Sequence, residues 1–384
     1  MRLSNVIITI LLVVIIAPSC IEPFTPETTG YEEMLLIEGL ITDNPLVPAK
    51  VTISRTVPLD RNLRRSDWLE SGTIVSVVCD DGNVYPFTET STGIYENIAD
   101  TLELETVKLY KLIVQTAAGE IFESDFESYK PSPPIDSITY TPEEVKTSDM
   151  DTRVEGLQFY ANSKSLNGES LYLRWILDAT YNYAVPLISD FIWNGSSLDE
   201  FQNHDYIVCW KDVNISGIYI GNSYGHTQNR VANAPLNFVS QIGDQLMIKY
   251  SLHAIQLSIS ESSYRFWYDL NKLINETGGL YETQPFRLKG NIHCTSDPDV
   301  NVAGVFEVAG VSELRVFALR PTEFIVFSTD CPMDTVGVES FPWSDLEPGS
   351  YITQLEEGVY MTGEDHCFIC TLRGGTLDRP PFWE

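Results

Sequence analysis

Ala49-Lys50-Val51-Thr52-Ile53-Ser54-Arg55 alternates apolar and polar side chains, the period of a strand with one face in a core and the other in water. Upstream, Leu35-Leu36-Ile37-Glu38-Gly39-Leu40-Ile41-Thr42 reads as another strand, ended by the turn residues Asp43-Asn44-Pro45. Downstream the pattern recurs. Thr73–Cys79 is closed by Asp80-Asp81-Gly82-Asn83, and Val84-Tyr85-Pro86-Phe87 and Gly93-Ile94-Tyr95 follow. Lys108–Thr116 alternates again, with Tyr110, Leu112 and Val114 on one side and Leu109, Lys111, Ile113 and Gln115 on the other. Ala118-Gly119 then turns the chain into Ile121–Ser124. About seven short strands spaced by turns over ~100 residues is the pattern of an immunoglobulin-like sandwich. Residues 31–132 are expected to form one.

Pro131-Ser132-Pro133-Pro134 is a stiff break and marks a boundary. Beyond it, residues 133–384 read as a second β-rich domain. Ile135–Tyr140 alternates as its opening strand. Gly156–Asn162 and Leu171–Thr180 read as a pair around the turn Asn167-Gly168, with Leu171, Leu173, Trp175 and Leu177 on one face. Ile215–Ile220, Gln245–Leu257 and Val302–Leu319 add further strands. One main helix is expected near 261–276. Ser260 caps it and Glu261 meets the positive end of its dipole. Tyr264, Trp267, Leu270, Leu273 and Ile274 follow helical spacing, and Gly278-Gly279 stops it. It is expected to pack on a sheet through Trp267. The fold class is therefore mainly β: a sandwich, then a second β-rich domain with one main helix.

The chain begins with one positive charge, Arg2, then an apolar run from Val6 to Ile16 broken only by Thr9, then Ala17-Pro18-Ser19-Cys20. This is a secretory signal, residues 1–19, and the run is shorter than the roughly 20 apolar residues a spanning helix needs. Small residues before a cysteine fit a lipobox, so Cys20 is the expected lipidation site. Acylation adds about 0.8 kcal/mol per buried methylene, and two or three chains anchor persistently. Membrane lipid is thus the first expected partner. Residues 20–30, with Pro23, Thr25, Pro26, Thr28 and Thr29, read as an extended tether.

The formal charge is −30, and removal of Arg2 makes the mature chain one unit more negative. Nucleic acid, which demands a basic face, is excluded as a partner. The scattered acids act chiefly through solubility. Tyrosine (19) and tryptophan (7) are plentiful; sheets use them for packing, and binding surfaces for sugars or peptides use them too.

Six cysteines remain beside Cys20, in an exported compartment that permits disulfides. Cys79 lies in an apolar strand and reads as a buried free thiol. Cys367-Phe368-Ile369-Cys370 has CxxC spacing with His366 beside it. A structural disulfide with Cys331 or Cys209 is the preferred reading, ahead of free thiols and of a metal or redox site. Zinc would want a second close ligand pair, and a redox motif a βαβ context.

No catalytic, cofactor or metal set is legible. There is no GxSxG elbow and no HExxH helix. No two of His204, His226, His253, His293 and His366 are spaced i, i+4. Residues 221–226 resemble a phosphate loop but lack its lysine and helix, and Asp80–Asn83 and Asp297-Pro298-Asp299 are short of a calcium ligand set.

Several of these pieces, in this order, carry a resemblance. Cys20-Ile21-Glu22-Pro23-Phe24, Leu36–Asp43, Pro133–Ile138 and the helix Tyr264–Leu273 with Trp267 come first. Gln284-Pro285, Gly290-Asn291-Ile292, Cys367–Cys370, Arg373-Gly374-Gly375-Thr376 and Pro380-Pro381-Phe382-Trp383 follow. Together they resemble a lipoprotein family of the Bacteroidetes known as domain of unknown function 4249. Ala17 and Pro18 depart slightly from the usual lipobox. The resemblance implies an outer-membrane lipoprotein encoded beside a TonB-dependent transporter of the starch-utilisation type, which it would cap or assist. It carries over no catalytic residue. The expected function is a non-enzymatic accessory or ligand-binding lipoprotein for nutrient uptake. A structural or adhesive envelope protein is the alternative, and a hydrolase with a site built from distant residues the third.

Overall fold

The computed structural model describes residues 34–57, 68–98, 102–146, 153–225, 229–276, 288–324 and 331–383. Cys20, its signal and tether, His226, and the Gly278-Gly279 stop lie outside them. The first strands are β1 (Leu35–Thr42), β2 (Lys50–Arg55), β3 (Ile74–Cys79), β4 (Val84–Ser91), β5 (Ile94–Glu96), β6 (Leu109–Gln115), β7 (Ile121–Ser124) and β8 (Glu127–Ser128). Then come β9 (Ile135–Lys146), β10 (Arg153–Lys164), β11 (Tyr172–Ala184), β12 (Phe191–Trp193), β13 (Leu198–Glu200), β14 (Val208–Asn222), β15 (Arg230–Ser240) and β16 (Lys249–Ser258). Helix α1 (Glu261–Glu276) is followed by β17 (Ile292–Cys294), β18 (Val302–Leu319), β19 (Asp334–Val336), β20 (Tyr351–Glu356) and β21 (Val359–Thr362). The protein is mainly β and sandwich-like, with one α-helix among the described residues.

In the first sandwich, neighbouring strands run β1-β2-β5-β4-β3-β6-β7-β17. The sheet folds over along β4, whose first half pairs with β3 and whose second half pairs with β5. The alternation read in the sequence sets the inward faces: Val51 and Ile53, Val75 and Val77, and Tyr110, Leu112 and Val114 all enter one core.

The longest strand, β18, joins the two halves of the molecule. Its first half lies parallel to β1, from Leu35 opposite Val302 to Thr42 opposite Ala309. Its second half lies antiparallel to β16, from Ser258 opposite Gly310 to Lys249 opposite Leu319. Between them Gly310 presses on the Lys130–Ser132 linker, its N–H bonding Lys130 O at 3.0 Å. A Cβ there would stand 2.4 Å from Ser132 N, so only glycine fits. The sequence division at residue 132 follows strand order. The first sandwich also takes β17 and half of β18 from far along the chain, with Ile292, Cys294, Phe306 and Val308 in its core.

The second sandwich sets β14-β11-β16-β18 against β15-β10-β9. Leu173, Trp175 and Leu177 of β11 meet Leu157 and Phe159 of β10 between the layers. Helix α1 covers part of the outer face, packing Tyr264 and Trp267 against Leu257, Ile259 and Ala309. Ser260 caps it, its Oγ accepting Ser263 N–H at 3.2 Å. A five-stranded sheet, β13-β12-β20-β21-β19, sits at the end of the second sandwich around Trp193, Val336, Leu346 and Ile352. No described helix is long and apolar enough to cross a membrane.

Candidate functional site

The described residues nearest the tether lie at one end of β18, and the paired cysteines lie at the other. Leu35 pairs with Val302, where β18 begins. Leu319, where it ends, stands in register with Lys249, which pairs with Asn182; the next residue, Tyr183, pairs with Cys209. At roughly 3.3 Å per residue, an 18-residue strand spans up to about 56 Å.

At that far end the four cysteines singled out by sequence come together as two disulfides, Cys209–Cys370 and Cys331–Cys367. The two cysteines of the CxxC spacing therefore take different partners. Cys79 and Cys294 are free and buried. The first bridge ties the C-terminal tail to β14, and other contacts extend the tie. Tyr183 donates its hydroxyl to Cys370 O at 2.6 Å, and Thr376 exchanges backbone hydrogen bonds with Trp210. Arg373 pairs with Asp244 at 2.8 Å. Trp383 packs edge-on against Phe317, with Lys249 over both rings.

Cys331, His366 and Cys367 are the one described group with metal-ligand atoms close together. Two of those three are joined to each other by the disulfide, which consumes both thiolates. His366 Nδ1 lies 3.2 Å from Glu364.

A second cluster lies on the outer face of the second sandwich. His253 of β16 stands opposite Asp178 of β11 and Arg315 of β18. Its Nδ1 is 2.9 Å from Asp178 Oδ2 and its Nε2 is 2.6 Å from Glu313 Oε2. Both ring nitrogens face carboxylates, an arrangement that the imidazolium, with its two N–H groups, satisfies at both ends. The bond to Asp178 raises the His253 pKa above its ordinary value, burial opposes this, and Glu313 adds to the rise. Burial pushes Asp178 up, yet the bond and charge of His253 with the charge of Arg315 bring it below the ordinary carboxylate value. Arg315 also donates to Ser251 Oγ at 3.1 Å and lies 3.8 Å over the Phe382 ring. Two acids and two bases balance, and through Phe382 they hold the tail.

A third polar group braces the crossing of the two sandwiches. Glu307 in mid-β18 is 2% exposed and pairs with Arg174 at 2.5 Å. Trp267 Nε1–H donates to it at 2.8 Å, and Arg174 lies 4.7 Å over the Trp267 ring. Nearby, buried Glu127 of β8 accepts from Ser262 at 3.0 Å and Asn291 at 2.7 Å. Burial raises the Glu127 pKa, and hydrogen bonds from Ser260, Asn291 and Ser262 oppose the rise. These contacts link strands of the first sandwich to the helix on the second.

Sequence reading missed both polar clusters, because their members are far apart along the chain. Asp178 and His253 are separated by 75 residues, His253 and Glu313 by 60, and Arg174 and Glu307 by 133. Their only local signal is a charge at an alternating position of a largely apolar strand.

No curated protein matches the chain. Over residues 21–315 the sequence matches the family described as Domain of unknown function (DUF4249), a span that includes the first sandwich, helix α1 and most of β18. The chain belongs to the DUF4249 family.

Proposed function

We propose that the protein is a non-enzymatic outer-membrane lipoprotein, an accessory or ligand-binding partner of a TonB-dependent transporter in nutrient uptake. The observation that carries this reading is polarity along β18. The residues nearest the lipid site start at one end, and the disulfide-braced cap occupies the other. A body anchored at Cys20 would present that cap up to about 56 Å from the tether's attachment, the reach of an 18-residue strand. The shared strand and the Glu307–Arg174 brace would make the body a rigid spacer. Purification of the native protein from cross-linked outer membranes tests the reading: a TonB-dependent transporter co-elutes. Recovery without any transporter sinks the partnership.

A structural or adhesive envelope role is the second reading, favoured by the stacked sandwiches and the stapled far end. Deletion of the gene separates the two. Lost uptake supports the accessory role; normal uptake with altered surface attachment supports the second.

A further inference from the structure

Three tyrosines, Tyr172, Tyr224 and Tyr264, gather where the start of α1 lies over the edge of the second sandwich. Tyr172 of β11 packs on Tyr264 with ring centroids 5.4 Å apart, and Tyr264 stacks on Tyr268 at 6.4 Å and 23°. Tyr224, just past β14, stands on the other side of an open cleft of about 320 Å³. Tyr172 and Tyr264 also pack on the core beneath the helix, but core packing does not account for Tyr224, which is 77% exposed.

The cleft is held in shape by its own polar groups. Asn222 donates from Nδ2 to the Tyr264 hydroxyl at 2.7 Å, and its Oδ1 accepts the Tyr224 N–H at 3.0 Å. One side chain thus fixes both walls. Glu261 pairs with Arg265 one turn along the helix. The two lining charges cancel, so the cleft offers little to a basic peptide. The −30 charge of the chain disfavours polyanions.

We propose that this cleft binds a neutral oligosaccharide. A sugar ring presents an apolar face of C–H groups and a rim of hydroxyls. Exposed tyrosine rings cover the first, and fixed carboxylate, guanidinium and phenol groups hydrogen-bond the second. Preorganised walls lower the ordering cost of binding. The inference goes beyond the accessory reading and stands with or without a transporter.

Native electrophoresis of the full lipidated protein in detergent tests it, in gels cast with starch, xyloglucan or a β-1,3-glucan, with polygalacturonate as the anionic control. At least one neutral polysaccharide retards the protein. Tyr224→Ala weakens that retardation about tenfold, the loss of one stacking ring, without lowering the melting temperature. The proposal is overturned if no neutral polysaccharide retards the wild type, if Tyr224→Ala is retarded equally, or if polygalacturonate retards the wild type more. Because the isolated protein is used, failure here leaves transporter co-elution untouched, and the reverse also holds.

Discussion

Among the described residues, the first sandwich closes around eighteen buried apolar side chains and keeps Cys79 and Cys294 as free thiols. The five-stranded sheet at the opposite end closes around four, and two disulfides lie beside it. Small sheets bury too little apolar surface to hold themselves, and covalent closure supplies what burial lacks. Between these extremes the second sandwich combines a large apolar core with ionic clusters on its outer face.

The sharpest way to break this contrast is to remove the bridges. Cys209 and Cys370 close 161 residues, and Cys331 and Cys367 close 36. The chain-entropy relation gives about 5 and about 4 kcal/mol for loops of those lengths. Cys209→Ser with Cys370→Ser should therefore unfold the far end first. Hydrogen exchange in residues 331–383 accelerates while β3 and β6 keep their protection. Equal loss at both ends would show that the first sandwich also leans on the bridges.

The opposite end should break by cavity. Phe306, fully buried, contributes β18 to the first core. Phe306→Ala should cost about 3–5 kcal/mol in denaturant titration, and added reductant should leave that increment unchanged. A cost below about 1 kcal/mol, the range of tolerated core swaps, would remove β18 from that core.

The brace between the sandwiches comes next. Arg174→Met leaves Glu307 buried with its ion partner gone, at a cost of about 3 kcal/mol. Pairing Arg174→Met with Glu307→Leu should recover most of it in a double-mutant cycle. If the double variant is as unstable as the single one, the ion pair is not what limits the junction.

The smallest effect is a pH dependence on the outer face. A histidine with a raised folded pKa contributes stability that is complete below its ordinary value of about 6.5 and lost as pH rises through the folded value. Its partners Asp178 and Glu313 are 38% and 44% exposed, so screening limits the effect to about 1 kcal/mol or less. Between pH 6 and 9 the wild type should lose that increment relative to His253→Gln. Superimposable profiles would contradict the doubly bonded imidazolium.

How far the sequence carries differs between the same regions. β1, β7 and β18 coincide with their sequence readings, and β2, β3 and β6 lie within one residue of theirs; β2, β3, β6 and β7 alternate against one core, and β18 is a long apolar run shared between two. Gly82 turns with φ +91° and Asn83 N–H bonds Asp81, as the Asp80–Asn83 pattern implies. Helix α1 follows from its cap and spacing. β15 is not legible: Pro235 and the small and amide residues Ala232, Asn233, Ala234 and Asn237 hide its alternation, and the strand tolerates the proline at a register shift opposite β10. The five-stranded sheet was missed because its strands are three to six residues long. Pairing of β18 with β1 joins residues more than 260 apart, which no local period encodes. The four paired cysteines were legible as candidates from compartment and spacing; which pairs with which is set by strand register at Tyr183–Cys209.

The proposed location, oxidising surroundings and transporter association would all rest on acylation at Cys20, and one labelling experiment tests it. Cells fed a clickable fatty acid should yield a labelled, membrane-sedimenting protein beginning at residue 20, and Cys20→Ala should be unlabelled and released from the membrane. A wild-type protein found soluble with residues 1–19 retained, or a Cys20→Ala variant that stays labelled, would contradict the account.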